Sequence, residues 1–257
     1  MASHTGHFIW TELMTKDIEA SRPFYEKLFG WTIKPQQMGE MPYHVIHAGE
    51  KQVGGMMQIT PQMGEVPTHC MAYGRVDDAD QRCQKAQELG GKQLVPGMDI
   101  PEVGRFTVVQ DPYGAVISPF KGLKDMEPPA MARPVHGEFC WYEVMTPDAD
   151  GTKKFYTDLF GWQTEGTTEH GGDEPYTMFK AGDRPVAGIA PMPGDAQHPP
   201  YWLSYVAVED VDATARKCTE LGGKVHVEPL DIPNVGRVAV IEDNIGGVVA
   251  LYKGANW

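Results

Sequence analysis

Two short strips hold the side chains best suited to chemistry. Phe8-x-Trp10-x-Glu12 is answered 131 residues later by Phe139-x-Trp141-x-Glu143. Alternate side chains of an extended strand share a face, so each strip should place an aromatic floor beside a carboxylate. Such a floor can stack a flat apolar ligand that carries a cation or a hydrogen-bond donor. If burial raises its pKa, Glu12 or Glu143 could also work as a general base, which makes these two the candidate catalytic residues. His69, Met71 and Tyr73 share one face of a later strand, and Leu203 and Tyr205 stand at the second copy's Met71 and Tyr73 positions. Tyr73 and Tyr205 are then the phenols nearest to the glutamates. The competing reading is structural: the tryptophans fill space, and the glutamates bond to hydroxyls or to the partner module.

Other candidate centres are weaker. An improvised metal site from Glu12 and His69 is conceivable, but the second copy has Tyr201 where the first has His69. His44 and His47 differ by an odd number and point to opposite faces of a strand. Cys70, Cys83, Cys140 and Cys218 are widely spaced with no C-x-x-C pair, which fits reduced thiols rather than a zinc ribbon. Arg105 and Arg237, each after a Val-Gly pair, read either as rim clamps for a carboxylate or as solvated hairpin charges. No Walker loop, dinucleotide glycine turn or Ser-His-Asp order is present.

The elements that must position these residues come in a repeat. Phe24-Tyr25 and Leu28-Phe29-Gly30-Trp31 match Phe155-Tyr156 and Leu159-Phe160-Gly161-Trp162. Pro42-Tyr43 matches Pro175-Tyr176, and Val103-Gly104-Arg105 matches Val235-Gly236-Arg237. The spacing predicts a strand over Phe8 to Met14, an Asp17 N-cap, a helix ended by Gly30, and strands over Tyr43 to Ala48 and Gln52 to Ile59. The pattern restarts at His69 to Val76, so four βαβββ-like units are expected. A connector at 122–135, carrying Pro128, Pro129 and Pro134, divides modules 1–121 and 136–257. Each half of the 257-residue chain is long enough to bury a core of its own.

Thirty-five acidic against 22 basic side chains leave a net charge of −13, which repels phosphate backbones and anionic lipids. A nucleic-acid or membrane partner is therefore not expected. With no basic, apolar leader at the start, the expected compartment is the cytoplasm, as a monomer or homodimer.

The motifs together resemble the vicinal oxygen chelate superfamily, which includes glyoxalase I, bleomycin-resistance proteins, fosfomycin-resistance enzymes and extradiol dioxygenases. They are Asp17-x6-Phe24-Tyr25-x3-Phe29-Gly30, Val76-x-Asp78-x-Asp80 and Asp111-Pro112-Tyr113-Gly114, with copies at Asp148, Phe155-Tyr156, Phe160-Gly161, Val208-x-Asp210-x-Asp212 and Asp243-Asn244-Ile245-Gly246. More narrowly, the chain is similar to a two-module bacterial group of glyoxalase-like "hydroxylases". The resemblance implies an α+β fold in which paired βαβββ units form curled, cup-shaped mixed sheets. In metal-dependent members it also implies three ligands per cup. Those positions fall here on Trp10, Met71 and Ser118, and on Trp141, Leu203 and Ala250, which are not normal ligands for a divalent ion. No metal or other cofactor is expected. The expected binding surface is thus Phe8, Trp10, His69, Met71, Tyr73 and Ser118, with Phe139, Trp141, Leu203, Tyr205 and Ala250.

Two function classes stay open. One is a small-molecule-binding protein that takes a partly aromatic ligand. The other is a glyoxalase-like lyase or isomerase, or a metal-free acid–base enzyme using Glu12 or Glu143.

Overall fold

The computed structural model describes residues 5–38, 41–124, 133–167, 176–192, 196 and 198–257; residues 125–132 of the expected connector lie outside the described residues. The first module runs β1 (Phe8–Thr15), α1 (Ile18–Phe29), β2 (Thr32–Met38), β3 (Met41–Ala48), β4 (Lys51–Gln58), β5 (His69–Arg75), α2 (Ala79–Glu88), β6 (Lys92–Ile100), β7 (Gly104–Gln110) and β8 (Val116–Gly122). The second repeats it as β9 (Phe139–Thr146), α3 (Ala149–Phe160), β10 (Gln163–Thr167), β11 (Tyr176–Ala181), β12 (Arg184–Pro191), β13 (Tyr201–Ala207), α4 (Val211–Glu220), β14 (Lys224–Ile232), β15 (Gly236–Glu242) and β16 (Val248–Gly254).

Local chemistry sets the helix ends. Asp17, Asp78, Asp148 and Asp210 each accept a bond from a first-turn backbone N–H, satisfying one of the donors a helix start leaves open. Gly30 and Gly161 end α1 and α3 in the left-handed region, at φ 69° and 72°. The strand that the sequence pattern does not single out is β2, which has no apolar alternation and contains Pro35. It lies at the sheet edge, where a missing N–H is tolerated.

Each module forms one mixed eight-stranded sheet, in the order β2-β3-β4-β1-β5-β8-β7-β6 and β10-β11-β12-β9-β13-β16-β15-β14. The two βαβββ units of a module meet through the antiparallel pairs β1/β5 and β9/β13. The α+β expectation holds, but the sheets are not strongly curled.

The two larger cores are shared between the modules, while a smaller one around Met14, Met71, Tyr73 and Val108 lies within the first. The helices lie between the two sheets. One apolar cluster joins Phe24, Leu28, Trp31 and Ile46 of the first module to Val208, Ala215, Ile241 and Leu251 of the second. The other joins Ala72, Cys83, Val109 and Ile117 to Tyr156, Phe160, Trp162 and Trp202. Reciprocal polar bonds fasten the same seam. Tyr25 donates to Asp243 Oδ2 at 2.9 Å and Tyr156 donates to Asp111 Oδ2 at 3.0 Å. The Trp31 indole donates to Gly137 O, and that of Trp162 to Gly6 O, at 2.8 and 2.9 Å. A buried hydroxyl–carboxylate bond contributes about 1.5–3 kcal/mol.

Candidate functional site

With the helices on the inside, the outward face of each sheet carries one duplicated strip. On the first module Glu12 lies opposite Met71, and Trp10 lies opposite Tyr73, which in turn pairs with Ser118. On the second, Glu143 lies opposite Leu203, and Trp141 opposite Tyr205, which pairs with Ala250. The two strips are back to back on opposite sides of the molecule, each built within one module.

The strand alternation fails at one expected residue in each copy. The register shifts between Phe8 and Trp10, and again at Val206 opposite Phe139, so Ile9 and Cys140 are the extra residues of β-bulges. Phe8 is thereby turned inward, where it stacks on Tyr142 at 4.1 Å between ring centroids. Phe139 packs 5.7 Å from Trp31. Both belong to the seam between modules and not to the strips where the alternation put them.

At the centre of each strip is a carboxylate held by phenols. Tyr73 donates to Glu12 Oε2 at 2.9 Å, Tyr43 bonds the same carboxyl, and the Trp10 indole donates to the Tyr43 oxygen at 2.8 Å. In the copy, Tyr176 and Tyr205 donate to the two oxygens of Glu143, and the Trp141 indole donates to the Tyr176 oxygen at 3.1 Å. Burial pushes the Glu12 carboxyl up, and the bonds from Tyr73 and then Tyr43 oppose that rise. Burial and the neighbouring glutamate push Tyr43, Tyr73, Tyr176 and Tyr205 upward, which keeps their protons in place as donors.

Tyr43 and Tyr176 are site residues that the alternation of the first strand does not reveal. They arrive from the third strand, and a glycine lets them through. Gly55 is the β4 partner of Glu12, and Gly188 is the β12 partner of Glu143. A Cβ at Gly55 would stand 1.9 Å from the Tyr43 oxygen, and one at Gly188 would stand 1.7 Å from that of Tyr176. The available signal is the Val-x-Gly pattern of Val53 and Val186, which repeats at the same offset of 133 as the Pro-Tyr pairs.

The remaining candidates have ordinary partners. His69 lies opposite Met14 with its Nδ1 2.8 Å from Pro67 O, and burial pushes its pKa down. Ser118 donates to Thr107 O at 2.8 Å. Arg105 is paired with Asp80 and Asp99, and Arg237 with Asp212 and Asp231, so both guanidinium groups are engaged within their own modules.

Duplicated βαβββ sheets with aligned strips define a class of protein, and the family model agrees. The chain belongs to the Glyoxalase/Bleomycin resistance protein/Dioxygenase superfamily, whose model matches residues 6–118 and again 139–250. It is 34% identical to CFP32 of Mycobacterium tuberculosis (strain CDC 1551 / Oshkosh), named as a candidate glyoxylase, over 96% of this chain and 94% of that protein. It is 31% identical to the anthracycline biosynthesis protein DnrV of Streptomyces peucetius, over 95% of this chain and 93% of DnrV. Among solved structures it resembles the 2,3-dioxygenase LapB from Pseudomonas sp. KL28, with TM-score 0.64 and 13% identity over 98% of this chain and 94% of LapB. It also resembles the Mn(II)-bound glyoxalase from Novosphingobium aromaticivorans, with TM-score 0.63 and 16% identity over 96% of this chain and 82% of that one.

One of these similar structures holds a manganese ion, and the residues here do not fit such an ion. Trp10 and Trp141 offer an indole N–H that already donates to Tyr43 or Tyr176, and Ser118 is engaged with Thr107. Met71, Leu203 and Ala250 give no hard oxygen or imidazole donor. Among the described residues no three His, Cys, Asp or Glu side chains are grouped so as to hold a metal.

Proposed function

We propose that the chain is a small-molecule-binding member of its family that holds a partly aromatic ligand against the Trp–Tyr–Glu–Tyr strip. The observation that carries this reading is the duplicated carboxylate set among phenols beside an indole, at a position whose side chains do not suit a divalent ion. The strip supplies a ring to stack on and an acceptor for a cation or a donor. DnrV, a relative over nearly the whole chain, carries the name of an anthracycline biosynthesis protein, and anthracyclines are flat aromatic molecules. We take the modules as 1–121 and 136–257 and the protein as a cytoplasmic monomer or homodimer. In a fluorescence titration, planar aromatic cations should quench the indoles of the strip, and the response should be lost in Trp10→Ala, in Trp141→Ala or in both. An unchanged response in both variants would overturn the reading.

One observation favours a second reading, an acid–base lyase or isomerase. Burial raises the Glu12 carboxyl toward the range in which a general acid or base is effective. Turnover of the methylglyoxal–glutathione hemithioacetal by untagged protein, lost in Glu12→Gln or Glu143→Gln and independent of added divalent metal, would establish it. Absence of turnover would leave the binding reading alone.

A further inference from the structure

The two outward faces are copies that differ in how their own side chains fill them. On the first, Tyr73 stands edge-on to Phe106 and Phe120, at 6.2 Å from each ring. Met14, Met71, Val108 and the partly buried Met57 complete an apolar cluster that leaves Glu12 5% exposed. On the second, the strand register puts smaller side chains at two of these places. Val238 pairs with Leu230 and Tyr252 as Phe106 pairs with Met98 and Phe120. Ala190 pairs with Met145 as Met57 pairs with Met14. Among the described residues no matching buried cluster forms there, and Trp141, Glu143, Tyr176 and Tyr205 are all half-buried, where Glu12, Tyr43 and Tyr73 are buried.

We propose that the second module alone takes the ligand, that the ligand's ring lies where the first module places Phe106, and that it is a planar aromatic cation. This rests on the binding reading above and names its site and ligand class. The first module is the template: Phe106 shows that a ring meets this phenol edge-on, so a ligand ring can meet Tyr205 in the same way. Each Glu143 oxygen receives one phenol and keeps acceptor capacity for a cationic donor. The chain's net charge of −13 favours the approach of a cation.

Calorimetric titration with proflavine, a planar tricyclic cation, separates the possibilities. Wild type should bind one equivalent. The filled variant Val238→Phe/Ala190→Met should bind at least tenfold more weakly, and the opened variant Phe106→Val/Met57→Ala should bind two equivalents. Trp141→Ala should abolish binding, which decides the matter even if a repacked variant fails to fold. Two equivalents in wild type, or wild-type affinity in a folded Val238→Phe/Ala190→Met protein, would overturn the assignment to the second module while leaving binding intact. No binding by wild type or by any variant would overturn the binding reading itself.

Discussion

Glu12 concentrates the site's electrostatics in one side chain. It is 5% exposed, its partners are neutral phenols, and burial pushes its carboxyl above the ordinary value. The folded protein therefore holds that proton more tightly than the unfolded chain does. The stabilising contribution is fully present below the ordinary carboxyl value of 4.5 and is lost as pH rises through the higher folded value. Burial also raises Asp111 and Asp243, so wild type alone would report a mixture. Comparison with Glu12→Gln isolates the one group, because both aspartates are common to the two proteins. Denaturant unfolding between pH 8 and pH 4 should show wild type gaining stability relative to Glu12→Gln as the pH falls; a difference that stays constant would place the charge of Glu12 outside this balance.

At the scale of the element, strand register decides which side chains meet the carboxylate. Gly55 faces Glu12 across the parallel β1/β4 pair, and its missing side chain admits the Tyr43 ring from β3. Gly55→Ala should destabilise the protein by about 1–3 kcal/mol, since the Tyr43 oxygen is tethered to Trp10 and Glu12 and has little room to retreat. A thermal melt would register the loss, and no change in melting temperature would show that Tyr43 can be displaced freely. The sequence makes some of this legible and hides the rest for physical reasons. Asp17, Asp148, Gly30 and Gly161 act within a few residues of themselves, so their roles follow from local spacing. Tyr73 and Tyr205 are reached by alternation along one strand. Tyr43 meets Glu12 only after three strands find their register, and the one trace of it in the sequence is the duplicated Val-x-Gly pattern of Val53 and Val186. Phe8 and Phe139 depart from the alternation because a bulge of a single residue inverts the face, and Ile9 and Cys140 give no sign of it.

For the whole molecule, the shared helix layer makes the modules dependent on one another. The cluster around Trp31 and that around Trp162 each draw buried side chains from both halves. Fragments 1–124 and 133–257 expressed separately should therefore lack cooperative unfolding and bind a hydrophobic dye, and mixing them should restore a cooperative melt. A fragment that melts cooperatively alone as a monomer would show that one half suffices. The seam also explains why length was a poor guide to organisation, since chain length bounds how much apolar surface can be buried but not which half covers it.

The bulges at Ile9 and Cys140 carry a consequence for how the copies can change. By sending Phe8 and Phe139 to the buttress between the halves, they leave the outward surfaces outside the seam that joins the modules. Each duplicate can then be remodelled separately, one kept sealed as ballast while its twin is recut for a new guest, and the scaffold is spared the damage that altering a shared wall would bring.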